Sequence, residues 1–82
     1  MWQPVNYGIV RNLGSLDEND SVRVNWMTWG GGEVRLDIRK WFERDGQMCP
    51  GRGILLSANE ARNLLAILHR QADENGLEAP DL

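Results

Sequence analysis

Residues 33–42 read EVRLDIRKWF. Apolar and charged residues alternate along this run, and Trp41 continues the charged register. Side chains on a β-strand point alternately to its two faces, and no helix has a period of two. The run therefore predicts a strand over residues 33–42, with Arg35, Arg39 and Trp41 on one face.

The preceding segment, residues 21–29, alternates in the same way and ends at three glycines, residues 30–32. Glycine adopts positive φ without strain, so this run permits a tight reversal of the chain. If the two strands pair in register, Arg23 and Trp29 share a face with Arg39.

Residues typical of turns mark where the other strands begin and end. Residues 6–16 are weakly β-compatible, and turns are predicted at residues 17–20 and 44–47. The sequence further predicts an irregular loop over residues 48–53 and a short strand over residues 54–56.

A helix is predicted from the capping box formed by Ser57 and Glu60. Apolar residues at helical spacing follow it, and Asn75-Gly76 is a typical helix end. The order β-β-β-β-α predicts an α+β fold with one C-terminal helix on the apolar face of an antiparallel sheet. We expect one domain over residues 1–82, with a core at about 7–74 and a frayed acidic tail at 77–82.

The chain is short, with 82 residues, one cysteine (Cys49) and one histidine (His69). A single cysteine cannot form an internal disulfide, and one cysteine with one histidine makes a four-ligand structural zinc site implausible, so we expect no metal or cofactor. Domains of this size are marginally stable alone, which favours a homodimer.

Cellular location is predicted from features that the sequence lacks. Met1–Pro4 do not resemble a signal peptide, and no apolar run approaches the length of a membrane span. A lone cysteine fits a reducing compartment. We expect an intracellular protein without membrane partners, cytoplasmic and nucleoid-associated if bacterial, or nuclear if eukaryotic.

The net charge of −3 argues against nucleic-acid binding, but the charge is unevenly distributed. Residues 21–56 carry six cations against four acids, and both flanking segments are acidic. Interleaved arginines and aromatic rings suit single-stranded nucleic acid, because arginine neutralises phosphates and flat rings stack on unpaired bases. The same arginines also fit a solvated face paired with Asp37 and Glu33, in which Asp37 orients Arg39 or Arg35.

Residues 37–42 (DIRKWF) and 45–56 (DGQMCPGRGILL) resemble the transcriptional coactivator domain of the positive-cofactor-four family, including its bacterial YdbC-like branch. The resemblance covers about residues 7–70. It implies a curved four-stranded antiparallel sheet followed by one helix. It also implies a homodimer with grooves for single-stranded DNA, and a role in transcription or in handling melted DNA.

Carried over by position, the resemblance assigns nucleic-acid binding to Arg23, Trp29, Arg35, Arg39, Trp41, Phe42 and Arg52. Arg39 would face a phosphate or base, Trp29 and either Trp41 or Phe42 would stack, and Arg52 would act from a loop. The chain departs from the family at Cys49, where lysines are common, and at Glu33, near a typically basic position.

Two classes of function remain open from the sequence. The leading hypothesis is non-sequence-specific binding of single-stranded DNA, with RNA as a possible ligand because stacking does not read the 2′-hydroxyl. The alternative is a dimeric protein-interaction module that recruits a transcription or replication protein, which the acidic total charge favours. An enzyme is not expected, because the chain has no nucleophile–base pair.

Overall fold

The computed structural model describes residues 6–79, which form four strands and one helix. The elements are β1 (Tyr7–Ser15), β2 (Val22–Trp29), β3 (Arg35–Arg44), β4 (Gln47–Leu56) and α1 (Ala58–Asn75). The strands form one antiparallel sheet in the order β1-β2-β3-β4. The predicted fold class is confirmed. The expectation for Met1–Pro4, and the end of the predicted tail at residues 80–82, lie outside the described residues.

The reversals between strands lie where the turn residues predicted them. Gly30 and Gly31 have φ values of 61° and 76°, and Asp45 and Gly46 have φ values of 51° and 80°. Asp45-Gly46 therefore makes a two-residue hairpin turn with both residues at positive φ, which suits the twist of the flanking strands.

The prediction of a loop over residues 48–53 is wrong, because these residues belong to β4. Gln47–Leu56 pairs with β3 along its length, with two residues of β4 opposite Lys40 between the pairs Arg39–Gly53 and Trp41–Pro50. Pro50 is compatible with this strand because β4 lies at the edge of the sheet, where a missing N–H on the outer side breaks no pairing.

Three aromatic side chains show how strongly the sheet curves. Trp29 ends β2, whereas the backbone N–H of Trp41 donates to Ser21 at the opposite end of that strand. These ends are separated by roughly 25 Å of extended chain. Both indoles nevertheless contact Tyr7, at centroid distances of 5.3 Å and 5.8 Å. The sheet must therefore curl around the face that carries them, and register shifts along β1 favour such bending.

We call this side the concave face. The pairing register and the aromatic contacts place on it Tyr7, Asn12, Arg23, Asn25, Met27, Trp29, Arg35, Asp37, Arg39 and Trp41. The face of β2 that carries Arg23 and the face of β3 that carries Arg39 therefore lie on the same side of the sheet, as the alternation predicted. The concave face also contains the four buried side chains of the described residues: Met27, Trp41, Asn25 and Asp37.

Helix α1 begins and ends as predicted. Ser57 and Glu60 form the capping box, and the Ser57 backbone N–H lowers the pKa of the Glu60 carboxyl from its usual value. Gly76 closes the helix in the left-handed conformation. Within residues 6–79 the helix approaches β3 and β4 but buries none of its own residues. The expected packing on an apolar sheet face is therefore only partial.

The apolar stripe of the helix stays largely exposed in the single chain, including Leu65 (57%) and Leu68 (43%). Among residues 6–79, no helix has the length and apolarity required to cross a membrane.

At Gly53, β4 lies too close to β3 to accommodate a side chain. A Cβ atom there would overlap the Cβ of Arg39 and the carbonyl oxygen of Ile38. Because backbone atoms cannot rotate away, we expect Gly53→Ala to lower the free energy of unfolding by about 1–3 kcal/mol or more.

Urea unfolding of Gly53→Ala would measure this effect. Gly8→Ala is the matched control, since its Cβ would meet the Oγ1 of Thr28, the end of a side chain that can rotate. Equal midpoints for the two variants would show that the approach at Gly53 does not constrain the sheet.

Candidate nucleic-acid interface

The centre of the concave face is the carboxylate of Asp37, which is fully buried. The Nε of Arg39 donates to it at 2.7 Å and 2.8 Å, and the Nη2 of Arg39 lies 2.6 Å from Oδ2. The indole Nε1–H of Trp29 donates to the same Oδ2 at 3.1 Å. The predicted orientation of Arg39 by Asp37 is what the structure shows.

The guanidinium of Arg39 is fixed on two further sides. Its Nη1 donates to the carbonyl oxygen of Gly51 at 3.2 Å, and its Cζ lies 4.4 Å from the ring centroid of Trp29. The side chain of Arg39 is only 13% exposed as a result. A cation held against an indole in this way gains a cation–π attraction that is stronger where water is excluded.

Trp41 does not lie on an open surface as the sequence suggested. Its residue is 5% exposed, and its ring packs against Tyr7 with an interplanar angle of 71°. Its buried Nε1–H has no hydrogen-bond partner within residues 6–79. Trp41 is therefore part of the floor of the concave face, and a base has little of its ring to stack on in the single chain.

Arg23 lies at the edge of this floor, with its Cζ 5.7 Å from the centroid of the Trp41 ring. Its Nε donates to the carbonyl oxygen of Asp20 at 2.9 Å, and its Nη2 lies 3.2 Å from the Asp20 carboxylate. The turn before β2 that carries Asp20 is itself held by Asp17, whose carboxylate accepts from Ser21 and Val22. The Ser21 hydroxyl is the main reason that the pKa of Asp17 lies well below its usual range.

The other three predicted residues lie apart from this cluster. Arg35 is on the concave face but exposed, with Glu33 at 3.9 Å. Phe42 follows Trp41 in the strand, so its ring points to the opposite face, and it is 46% exposed. Arg52 is exposed on the edge strand β4, rather than in a loop.

Sequence reasoning missed the polar residues beside this cluster. Asn25 is buried, and its Oδ1 accepts a hydrogen bond of 2.8 Å from the Nδ2 of Asn12 on β1. An open recess of about 250 Å³ lies over this pair, between β1 and Arg23. The alternation of β2 does place Asn25 in phase with Arg23, but only the register of β1 brings Asn12 to it.

The family model described as transcriptional coactivator p15 (PC4) matches residues 16–67, more than half of the chain. The chain belongs to this family. No curated protein and no solved structure shows a significant match to the chain.

The PC4 match contains all seven sequence-predicted site residues, but it begins after β1. Tyr7 and Asn12, which complete the concave face, therefore come from outside the matched segment. The family is one of transcriptional coactivators rather than of enzymes. Among residues 6–79 of this PC4-family chain, no group of three or more His, Cys, Asp or Glu side chains is placed to hold a metal ion.

The role of Asp37 in holding this PC4-family face together can be tested by removing its carboxylate. Asp37→Ala leaves the mostly buried guanidinium of Arg39 without its charged partner. Breaking a buried pair in this way costs about 3–5 kcal/mol, so we expect a large fall in the free energy of unfolding.

Glu33→Ala is the matched control, because Glu33 pairs with Arg35 at the surface and such pairs contribute about 0–1 kcal/mol. Chemical denaturation of both variants gives the comparison. A fall for Asp37→Ala no larger than that for Glu33→Ala would contradict a central role for Asp37.

Proposed function

We propose that this protein binds single-stranded DNA along the concave face, without sequence specificity overall, in transcription regulation or in the handling of melted DNA. One observation carries the proposal: the guanidinium of Arg39 lies over the ring of Trp29, and both side chains are fixed by the same buried carboxylate of Asp37. Membership of a family of transcriptional coactivators supports it.

The fixed arginine–tryptophan pair suits an unpaired nucleotide for a physical reason. Base–aromatic stacking contributes about 1–3 kcal/mol per base and tolerates any sequence, since every base has a flat face. Trp29 is only partly buried, and we propose that a base stacks on its accessible part. Because Asp37 already holds Trp29 and Arg39, little side-chain ordering is needed on binding.

The arginines that we assign to phosphate contacts differ in how far their side chains are exposed. Arg39 uses three of its nitrogen atoms within the protein, but its Nη groups carry more N–H bonds than those contacts use. Arg23 lies at the rim, and Arg35 and Arg52 are exposed. We propose that the exposed arginines meet phosphates first, while Trp41 supports Arg23 rather than stacking. RNA remains a candidate ligand for the same contacts.

The contribution of the exposed edge strand can be measured by Arg52→Gln. Each phosphate contact to a single strand contributes about 0.7 to the slope of log K against log salt concentration. We expect Arg52→Gln to lower the magnitude of that slope by about this amount for a labelled oligonucleotide.

Arg70→Gln removes the same charge from the exposed surface of α1 and is the matched control. Anisotropy titrations at several salt concentrations would compare the two variants with the wild type. Equal slopes for both variants would remove Arg52 from the site, whereas no binding by the wild type at low salt would reject the proposed function.

We further propose that the protein is a homodimer. Met27 and Trp41 are the only buried apolar side chains among residues 6–79, which is too small a core for a stable isolated chain. Exposed apolar residues on α1 and just after it form a second recess, lined by Leu65, Leu68 and Leu77 among others. Burial of this stripe against a second copy would supply the missing apolar contacts.

Leu68→Glu places a charge in the middle of that stripe, so we expect it to shift the protein from dimer to monomer in sedimentation velocity. The melting temperature of the wild type should also rise with protein concentration, as mass action requires for a dimer. Asn63→Glu adds the same charge elsewhere on the helix and should leave the dimer intact. A monomeric wild type would overturn this assignment.

The alternative function, a protein-interaction module, rests on the same exposed stripe of α1. It would be favoured if the wild type binds no oligonucleotide at low salt but retains one stoichiometric transcription or replication protein after nuclease treatment.

A further inference from the structure

Two arginines lie directly opposite each other on neighbouring strands of the concave face, Arg23 on β2 and Arg39 on β3. Like charges in directly opposite positions destabilise a sheet. The carboxylate of Asp20 pairs with Arg23. The carboxylate of Asp37 pairs with Arg39. Each carboxylate therefore offsets part of a repulsion that the pairing register of the two strands creates.

The two carboxylates differ in their exposure to solvent. Asp37 is fully buried, so its pair with Arg39 is part of the folded interior. Asp20 lies in the turn before β2, and its side chain is 63% exposed. Exposed ion pairs are weak and are screened by salt. Another anion can therefore replace the partner of Arg23, whereas the partner of Arg39 is inaccessible.

The guanidinium of Arg23 is also held by contacts that do not depend on the charge of Asp20. Its Nε donates to the backbone carbonyl oxygen of Asp20 at 2.9 Å, and its Cζ lies 5.7 Å from the ring centroid of Trp41. Its Nη2 lies 3.2 Å from the Asp20 carboxylate. Loss of that carboxylate would therefore free Nη2 for a new acceptor while the guanidinium stays oriented.

We propose that the Asp20 carboxylate occupies, in the free protein, the position on Arg23 that a backbone phosphate of the bound strand takes in the complex. A carboxylate and a phosphate present the same kind of anionic oxygen acceptors to a guanidinium. Binding then exchanges one anion for another at Arg23, and Asp20 lowers the affinity by competing for this arginine. The inference rests on the proposed single-strand binding and names one of its phosphate positions.

The test is Asp20→Asn, which removes the competing charge and keeps the backbone carbonyl that holds Arg23. Asp20 has a φ of 57°, and asparagine tolerates this left-handed conformation as aspartate does. In anisotropy titrations with a labelled oligo(dT), we expect Asp20→Asn to bind about 2- to 5-fold more tightly than the wild type, the effect of one exposed ion pair.

Two matched variants and one measurement on the wild type complete the test. Glu18→Gln removes the same charge from the same turn, at a side chain outside this ion pair, and should give a smaller gain. In an Arg23→Gln background, at a salt concentration where that variant still binds, Asp20→Asn should give no further gain. In the wild type, the side-chain carboxyl resonance of Asp20 should shift on addition of oligo(dT), because the carboxylate loses its guanidinium partner.

The outcomes separate the two proposals. Equal gains from Asp20→Asn and Glu18→Gln would show that only net charge matters, which would retain single-strand binding and overturn the role of Asp20. Weaker binding by Asp20→Asn, a gain that persists in the Arg23→Gln background, or an Asp20 resonance unmoved by oligo(dT) would also overturn that role. Failure of the wild type to bind oligo(dT) at low salt would overturn both proposals.

Discussion

The buried carboxylate of Asp37 connects most of what is specific to this protein. It accepts from Arg39 and Trp29, and Arg39 in turn donates to the carbonyl oxygen of Gly51 on the edge strand. One carboxylate thus ties β2, β3 and β4 together on the concave face. Such a pair costs desolvation and is weak evidence for stability by itself. Its role here is geometric, because it fixes a guanidinium and an indole in contact.

The curvature of the sheet explains why the charged face is also the most buried. A flat sheet would leave Trp29 and Trp41 far apart, whereas in this structure both indoles reach Tyr7. The inner side chains then shield one another without a covering layer. The helix, in contrast, is poorly covered. It contacts β3 and β4 but leaves Leu65 and Leu68 exposed. A dimer would complete the apolar side that the single chain leaves open.

Much of this arrangement could be predicted from the sequence, because short-range rules govern it. Alternation along residues 33–42 gave the strand faces, and Asp45-Gly46 and the Ser57 capping box gave the ends of elements. The burial of Trp41 could not be predicted, since a period of two separates two faces without showing which one is enclosed. The first part of β4 was predicted to be a loop because it contains Pro50, and proline is found within strands mainly at a sheet edge.

The Asn12–Asn25 pair was beyond sequence reasoning because it depends on two register shifts along β1. Those shifts set which β1 residue faces β2 at each position, and no local pattern encodes them.

The arginines of the concave face share one feature that bears on the proposed binding of a polyanion by such an acidic chain. Three of them have a carboxylate of their own: Arg23 with Asp20, Arg35 with Glu33, and Arg39 with Asp37. These pairs reduce the long-range attraction of the face for phosphate, so under the proposed function stacking and directed hydrogen bonds would supply more of the affinity than on a lysine-rich surface. The buried carboxylate of Asp37 also prevents the guanidinium of Arg39 from turning away, and under the proposed function this fixed geometry would favour flat, unpaired bases over the regular phosphate surface of a duplex.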